Sequence, residues 1–173
     1  NATIQPNGYL NVPSFENRIP LSKEKKKLQT VLTQPKISPD AKRLAYVQND
    51  IGKVKIWVKD LSEDKEKMVL KFGFRNLDQE TDYNYPFLAW SPDAQELAII
   101  YEVRDVIKLT ILNPSTGEKS TQDITKFQRI NSLAYGANKR ELLMSATTKI
   151  GTNIYTYSIT NTKATPITRD VFD

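Results

Sequence analysis

The chain has 173 residues, 26% of them charged and 39% hydrophobic, and its 25 basic against 20 acidic side chains leave a net charge of +5. This is the composition of about one folded domain, and it excludes intrinsic disorder, a fibrous repeat and a membrane-spanning helix, since no apolar run approaches the roughly 18 residues a bilayer crossing needs. Histidine and cysteine are absent, which removes Ser-His-Asp and Cys-His catalysis, His- or Cys-ligated metals, iron-sulfur clusters, disulfides and histidine pH switches.

In chain order, residues 1–30 come first as a segment of their own, expected to cover an edge or to form an incomplete sheet. The chain begins at Asn1 with no apolar leader, so any targeting sequence is expected to have been removed or never included. Asn1-Ala2-Thr3 fits the N-glycosylation pattern, a short motif of little weight. Arg18, Lys23, Lys25, Lys26 and Lys27 supply most of the positive excess. No aromatic residue interleaves that run and it has no Trp/Phe/Leu face, so it reads as a solvated surface rather than a nucleic-acid or membrane contact.

From residue 31 onward the chain repeats itself. Ile37-Ser38-Pro39-Asp40-Ala41-Lys42-Arg43-Leu44-Ala45-Tyr46-Val47 aligns without gaps on Trp90-Ser91-Pro92-Asp93-Ala94-Gln95-Glu96-Leu97-Ala98-Ile99-Ile100, and more weakly on Tyr135 to Ser145. A second element starts 18 residues after the first position of each copy, at Lys55, Lys108 and Asn153. The copies lie 53 and 45 residues apart, so length varies only in the connections, as when each unit is one supersecondary block. Val54–Val58, Val106–Leu112 and Ile154–Ile159 are short β-branched and aromatic runs bounded by Asn, Asp, Gly, Ser and Pro, without a helical period. Ser-Pro-Asp between two apolar runs is a hairpin turn, with proline presetting φ at its second position. Each unit therefore predicts four antiparallel strands, an all-β fold of propeller blades.

At these residues the chain resembles the WD40-like repeat with a Ser-Pro-Asp-Gly signature, found in TolB-type β-propellers and in the non-catalytic propellers of prolyl oligopeptidase-type peptidases. The pattern falls on Trp90 to Ala98, on Ile56-Trp57-Val58-Lys59-Asp60-Leu61 and on the blade-ending pairs Leu32-Thr33, Ile124-Thr125 and Ile167-Thr168, covering residues 31–173 in about three blades. Ala41 and Ala94 stand where the family has glycine; at positive φ each costs roughly 1–2 kcal/mol. The third copy has lost Ser-Pro-Asp and reads Gly136-Ala137-Asn138. Three blades do not close a ring of the usual four to eight, so the resemblance implies a fragment, an open array or half of a six-bladed assembly.

In propellers, recognition sits on loops between the second and third strands and between blades. Here those are residues 48–52, 102–105 and 146–151, together with the long insertion 72–87, which combines three carboxylates with Phe72, Phe74, Tyr83 and Tyr85. Asn49, Asp50, Arg75, Asp82, Tyr83, Tyr85, Arg104 and Asp105 are the candidate contact residues, Tyr and Arg being good anchors. Against this, the aromatics of the insertion would serve equally as a plug at the blade junction. Asp60 to Glu66 alternates oxygen ligands, but it lacks the glycine of a calcium loop and reads as a turn, leaving no metal site and no cofactor. Trp57 and Trp90 are expected in the core and Asp40 and Asp93 in turns.

The resemblance implies a non-enzymatic module that binds a protein or a cell-envelope ligand, periplasmic or otherwise extracytoplasmic, without nucleic acid or a membrane span. The alternatives are the auxiliary propeller of a larger hydrolase and a carbohydrate-binding propeller. Apolar blade edges left open would bring copies of the chain together as a homo-oligomer.

Overall fold

A computed structural model of the chain describes residues 30–75 and 81–168, with the backbone alone at Thr3–Ile4, Tyr9–Asn11 and Ile19–Pro20. The Asn1-Ala2-Thr3 motif as a whole, the basic run and the side chains of residues 1–29 lie outside the described residues, and with them the edge-covering role expected of residues 1–30. The chain divides into two compact units, Asn1–Asn84 and Tyr85–Asp173, with the boundary inside the long insertion.

No helix occurs among the described residues. The first unit opens with three short strands, β1 (Thr3–Ile4), β2 (Tyr9–Asn11) and β3 (Ile19–Pro20), in one antiparallel sheet. Its main sheet is β4 (Thr30–Ile37), β5 (Arg43–Asp50), β6 (Lys53–Asp60) and β7 (Glu66–Phe72), a four-stranded meander. The second unit has two more: β8 (Phe87–Trp90), β9 (Leu97–Val103), β10 (Val106–Leu112) and β11 (Lys119–Ile124), then β12 (Arg129–Tyr135), β13 (Glu141–Thr148), β14 (Gly151–Ser158) and β15 (Ala164–Pro166). Every neighbouring pair is antiparallel, so each sheet has the strand order of a blade.

The repeated turn sets the register of the first two main sheets. Ser38 Oγ donates to Asp40 Oδ1 at 2.5 Å and accepts from Arg43 N at 2.9 Å, while Asp40 Oδ1 also accepts from Lys42 N at 3.2 Å. Ser91, Asp93, Glu96 and Gln95 repeat the set at 2.6, 2.9 and 3.1 Å. Both serines are buried, so their hydroxyls must be satisfied within the turn, which ties the two strand ends together. In the third sheet Asn138 Oδ1 accepts from Arg140 N at 2.9 Å, doing the aspartate's work without a charge. Ala41 and Ala94 take φ of 56° and 58°, the left-handed conformation that glycine would hold without strain.

Register then decides which residues pack. In the second unit, the cross-strand pairs Ala98–Ile111 and Ile100–Leu109 share one face, as do Leu142–Tyr157 and Met144–Tyr155 in the next sheet. Those two faces form one core, closed by Ile124 at the end of β11, Phe127 in the connection and Ile130 in β12. Phe127 lies 4.8 Å from the Tyr155 ring, and Gln122 donates to the Tyr157 hydroxyl at 3.1 Å. Leu97 to Tyr101 are buried in unbroken succession, whereas β13 alternates buried with half-buried residues. Trp90 is buried as expected, but Trp57 is only half-buried, with Lys55 5.6 Å from its ring and its Nε1 donating to Gln48 at 2.8 Å.

The two alanine turns separate strain from burial. Ala41→Gly is expected to stabilise the fold by roughly 0.5–1 kcal/mol, the left-handed penalty of alanine less the chain-entropy cost of glycine. Ala94→Gly should gain almost nothing, because the Ala94 methyl is only 2% exposed and its removal forfeits about 0.8 kcal/mol of burial. Urea-unfolding midpoints of the two variants check the difference.

Candidate functional site

Asn49, Asp50, Arg75, Asp82 and Tyr83, from the set of candidate contact residues, belong to the first unit, and the first two stand where β5 turns into β6. That turn has two residues, Ile51 at φ 48° and Gly52 at φ 87°, closing the Asp50–Lys53 pair. A β-branched residue at positive φ is strained, and Ile51 is nevertheless buried. Asn49 holds the conformation: it is buried, and its Oδ1 accepts from Gly52 N at 2.9 Å, so its side chain is committed to the turn rather than presented to solvent. The chain leaving β7 presses on the same turn. A Cβ on Gly73, at φ 70°, would come 2.1 Å from the Gly52 carbonyl oxygen, so only glycine fits this approach.

That contact carries Phe74 and Arg75 past the turn. Asp50 Oδ1, buried and without a hydrogen-bond partner, has the Arg75 Nε at 3.6 Å, the acid being 16% and the arginine 46% exposed. The pair holds the arginine in place while leaving much of its guanidinium in water. Phe74 is 72% and Tyr83 38% exposed. Asp82 Oδ1 accepts from Asn84 N at 2.9 Å, forming a turn that carries Tyr83, and Gln34 of β4 donates to the Asn84 carbonyl at 3.1 Å. Asp50, Arg75, Asp82 and Tyr83 thus lie on segments tied to the same sheet.

The remaining candidates sit in the second unit. Arg104 and Asp105 form a two-residue turn at φ 52° and 61° between the paired Val103 and Val106, so the wider loop expected over residues 102–105 is a tight hairpin. Tyr85 is a structural clamp: its hydroxyl donates to the Ile130 carbonyl at 2.7 Å and accepts from Ile130 N at 3.0 Å. Its ring meets Phe87 edge-on at 5.0 Å and lies 5.6 Å from the Arg129 guanidinium. The plug reading of the insertion therefore describes Tyr85, while Phe74 and Tyr83 are presented outward.

The acidic turns are electrostatically quiet. Ser38 hydroxyl donation, followed by the Lys42 amide, holds the Asp40 carboxyl below its usual range, and Ser91 does the same for Asp93. Asp60 is lowered first by Ser62 donation and then by the Glu63 and Ser62 amides, inside a turn where Asp64 also neutralises the buried Lys59 at 2.5 Å. Among the described residues no three acidic side chains gather as metal ligands. Another polar pair, Glu96 and Tyr135, was not a sequence candidate. The Glu96 Oε2 and the Tyr135 hydroxyl are each buried without a hydrogen-bond partner, and burial, then the Glu96 charge, raises the phenol's pKa.

No protein-family model matches the sequence, and no curated protein matches it. Solved structures do. TolB from Acinetobacter baumannii superposes with a TM-score of 0.67 at 18% identity, over 94% of this chain and 37% of its own. The fold is that of a TolB-type β-propeller, in three blades. A putative TolB from Agrobacterium tumefaciens gives 0.64 at 16% identity, covering 98% of this chain and 61% of that one. The β-propeller domain of the Trilobed protease from Pyrococcus furiosus gives 0.59 at 15%, covering 81% and 43%. The chain thus spans between about two fifths and three fifths of these structures.

Two measurements test the roles assigned to side chains. Tyr85→Phe strands the Ile130 amide and carbonyl and should cost about 2 kcal/mol of stability, read from thermal or urea unfolding. Because the folded carboxyls of Asp40 and Asp93 titrate below their unfolded value of 3.8, their stabilisation is complete above that pH and is lost as pH falls through the lower folded value. Asp40→Asn, which copies the amide of the natural Asn138 turn, should therefore be less stable than the parent at neutral pH, the gap closing on acidification.

Proposed function

We propose that this propeller segment is a non-enzymatic recognition module, extracytoplasmic by its resemblance, that binds a protein partner through the β5–β6 end of its first main sheet. The observation that carries the reading is the outward display of Phe74 and Arg75 beside a turn made rigid by Asn49, Gly52 and Gly73, with the exposed Tyr83 on a further segment tied to β4 of the same sheet. Aromatic and arginine side chains dominate the energetics of protein interfaces, and a pre-organised turn reduces the ordering cost of binding. The TolB likeness supports the fold on which this reading rests and leaves the partner to be found.

A second reading has its own support in the likeness to the propeller domain of a protease: the segment would then gate access to a catalytic domain elsewhere in a longer chain. A reading frame carrying Gly-x-Ser-x-Gly followed by Asp and His would favour it. The deciding experiment is a pull-down from envelope extract with the parent and a Phe74→Ser, Arg75→Glu, Tyr83→Ser variant of unchanged melting temperature. The variant should lose the specific partner by more than about tenfold, as hot-spot removal does. Retention of every partner, or peptide hydrolysis by the chain alone, would overturn the proposal.

A further inference from the structure

The two methionines of the chain have opposite surroundings. Met144, in β13, is 1% exposed and belongs to the sheet-to-sheet core of the second unit, whereas Met68, in β7, is 38% exposed. Strand β7 is an edge of the first main sheet, hydrogen-bonded to β6 on one side. The ladder between them is broken beside Met68: Trp57 opposes Met68 and Ile56 opposes Leu70, so Val69 has no opposite residue. Met68 therefore ends a row that runs across the sheet from the buried Tyr46 through Trp57. Directly opposed residues on neighbouring strands bring their Cβ atoms to about 5 Å, which puts the thioether within reach of the indole ring. Trp57 is itself held from β5, where its Nε1 donates to Gln48 at 2.8 Å.

We propose that Met68 is a reversible oxidation site, taking one oxygen atom from a hydroperoxide, and that its oxidised form loosens β7 from β6. In the step a sulfur lone pair attacks one peroxide oxygen, the S–O bond forming as the O–O bond breaks. With hydrogen peroxide the hydroxide released takes up a proton and leaves as water, sulfur being oxidised by two electrons and the peroxide reduced by two. Cysteine is absent, so no thiol competes for the oxidant. The product carries a polar sulfoxide in place of an apolar thioether, and hydration of that oxygen draws the side chain away from the indole. Strand β7 resists such a change less than an inner strand would, because it lies at an edge and the bulge already takes Val69 out of the ladder. Two thiols restore the thioether, with a disulfide and water as products. Burial in the core denies Met144 the same reaction.

Trypsin separates the two sulfurs, since Lys67 and Lys71 bracket Met68 while Arg140 and Lys149 bracket Met144. When the folded chain is treated with dilute hydrogen peroxide, the peptide of residues 68–71 should gain one oxygen at least about tenfold faster than that of residues 141–149. Amide hydrogen exchange in β7 should then quicken by at least about fivefold while that in β13 stays as it was. Met68→Leu should abolish the change, and methionine sulfoxide reductase with a thiol reductant should reverse it. Indole emission should shift on oxidation of the parent and not of Trp57→Phe, whose remaining tryptophan is the buried Trp90. Met68→Gln, polar and of similar length, should loosen β7 with no oxidant. Equal oxidation of the two methionines, a Met68 shielded from peroxide, or a sulfoxide that leaves exchange in β7 unchanged would overturn the proposal.

Discussion

The molecule depends on how a buried serine hydroxyl is satisfied. In the first two main sheets Ser38 and Ser91 lie inside the turn and cannot reach water, so each hydroxyl donates to an aspartate two residues on and accepts from an amide five residues on. Those bonds fix where the second strand starts. A slip of one residue would turn every side chain of β5 or β9 to the opposite face, and the pairing that places apolar residues in the core would be lost. A few local hydrogen bonds thus select the register that makes sheet-to-sheet packing possible, and the packing in turn keeps the hydroxyls dry.

Much of this was readable because it is local and repeated. The constant offset of 18 residues between turn and second element reflects a hairpin of constant geometry, and the strand runs follow from β-branched residues between turn formers. Even the alanines at the glycine position behave as sterics dictates, held at positive φ by the surrounding bonds. What was hidden depends on distance along the chain. Tyr85 and Tyr83 differ by two positions in one insertion, yet the first is clamped to a backbone 45 residues away and the second faces water. Composition cannot distinguish them. The Asp50–Arg75 pair likewise forms only because Gly73 lets two backbones approach, and the Asn138 turn conceals itself by doing an aspartate's work with an amide.

The site and the scaffold also divide the strain differently. Ile51 at positive φ, the orphaned Asp50 oxygen and the glycine-only approach at Gly73 all fall around one turn. Strain of this kind persists only where neighbours over-determine the geometry, and it is concentrated where Phe74 and Arg75 leave the sheet. The Arg104–Asp105 hairpin, by contrast, carries positive φ at both residues but no apolar side chain at its tip. Its equivalent in the third blade sheet puts Ile150 at 83% exposure, so equivalent turns differ in chemistry while sharing a frame.

The same separation runs through the chain's charges. Its turn carboxylates are consumed locally: Asp40, Asp60 and Asp93 each accept from their own turn and are held ionised, so none is poised to exchange a proton near neutral pH. Tyr135, the phenol most displaced from its ordinary behaviour, moves upward through burial, which leaves it protonated and unable to act as a base near neutral pH. Charges fixed in this way hold backbone in place. What remains for solvent to meet is a set of tight turns whose exposed residues differ from sheet to sheet, from Arg104 and Asp105 in one to Ile150 in the next.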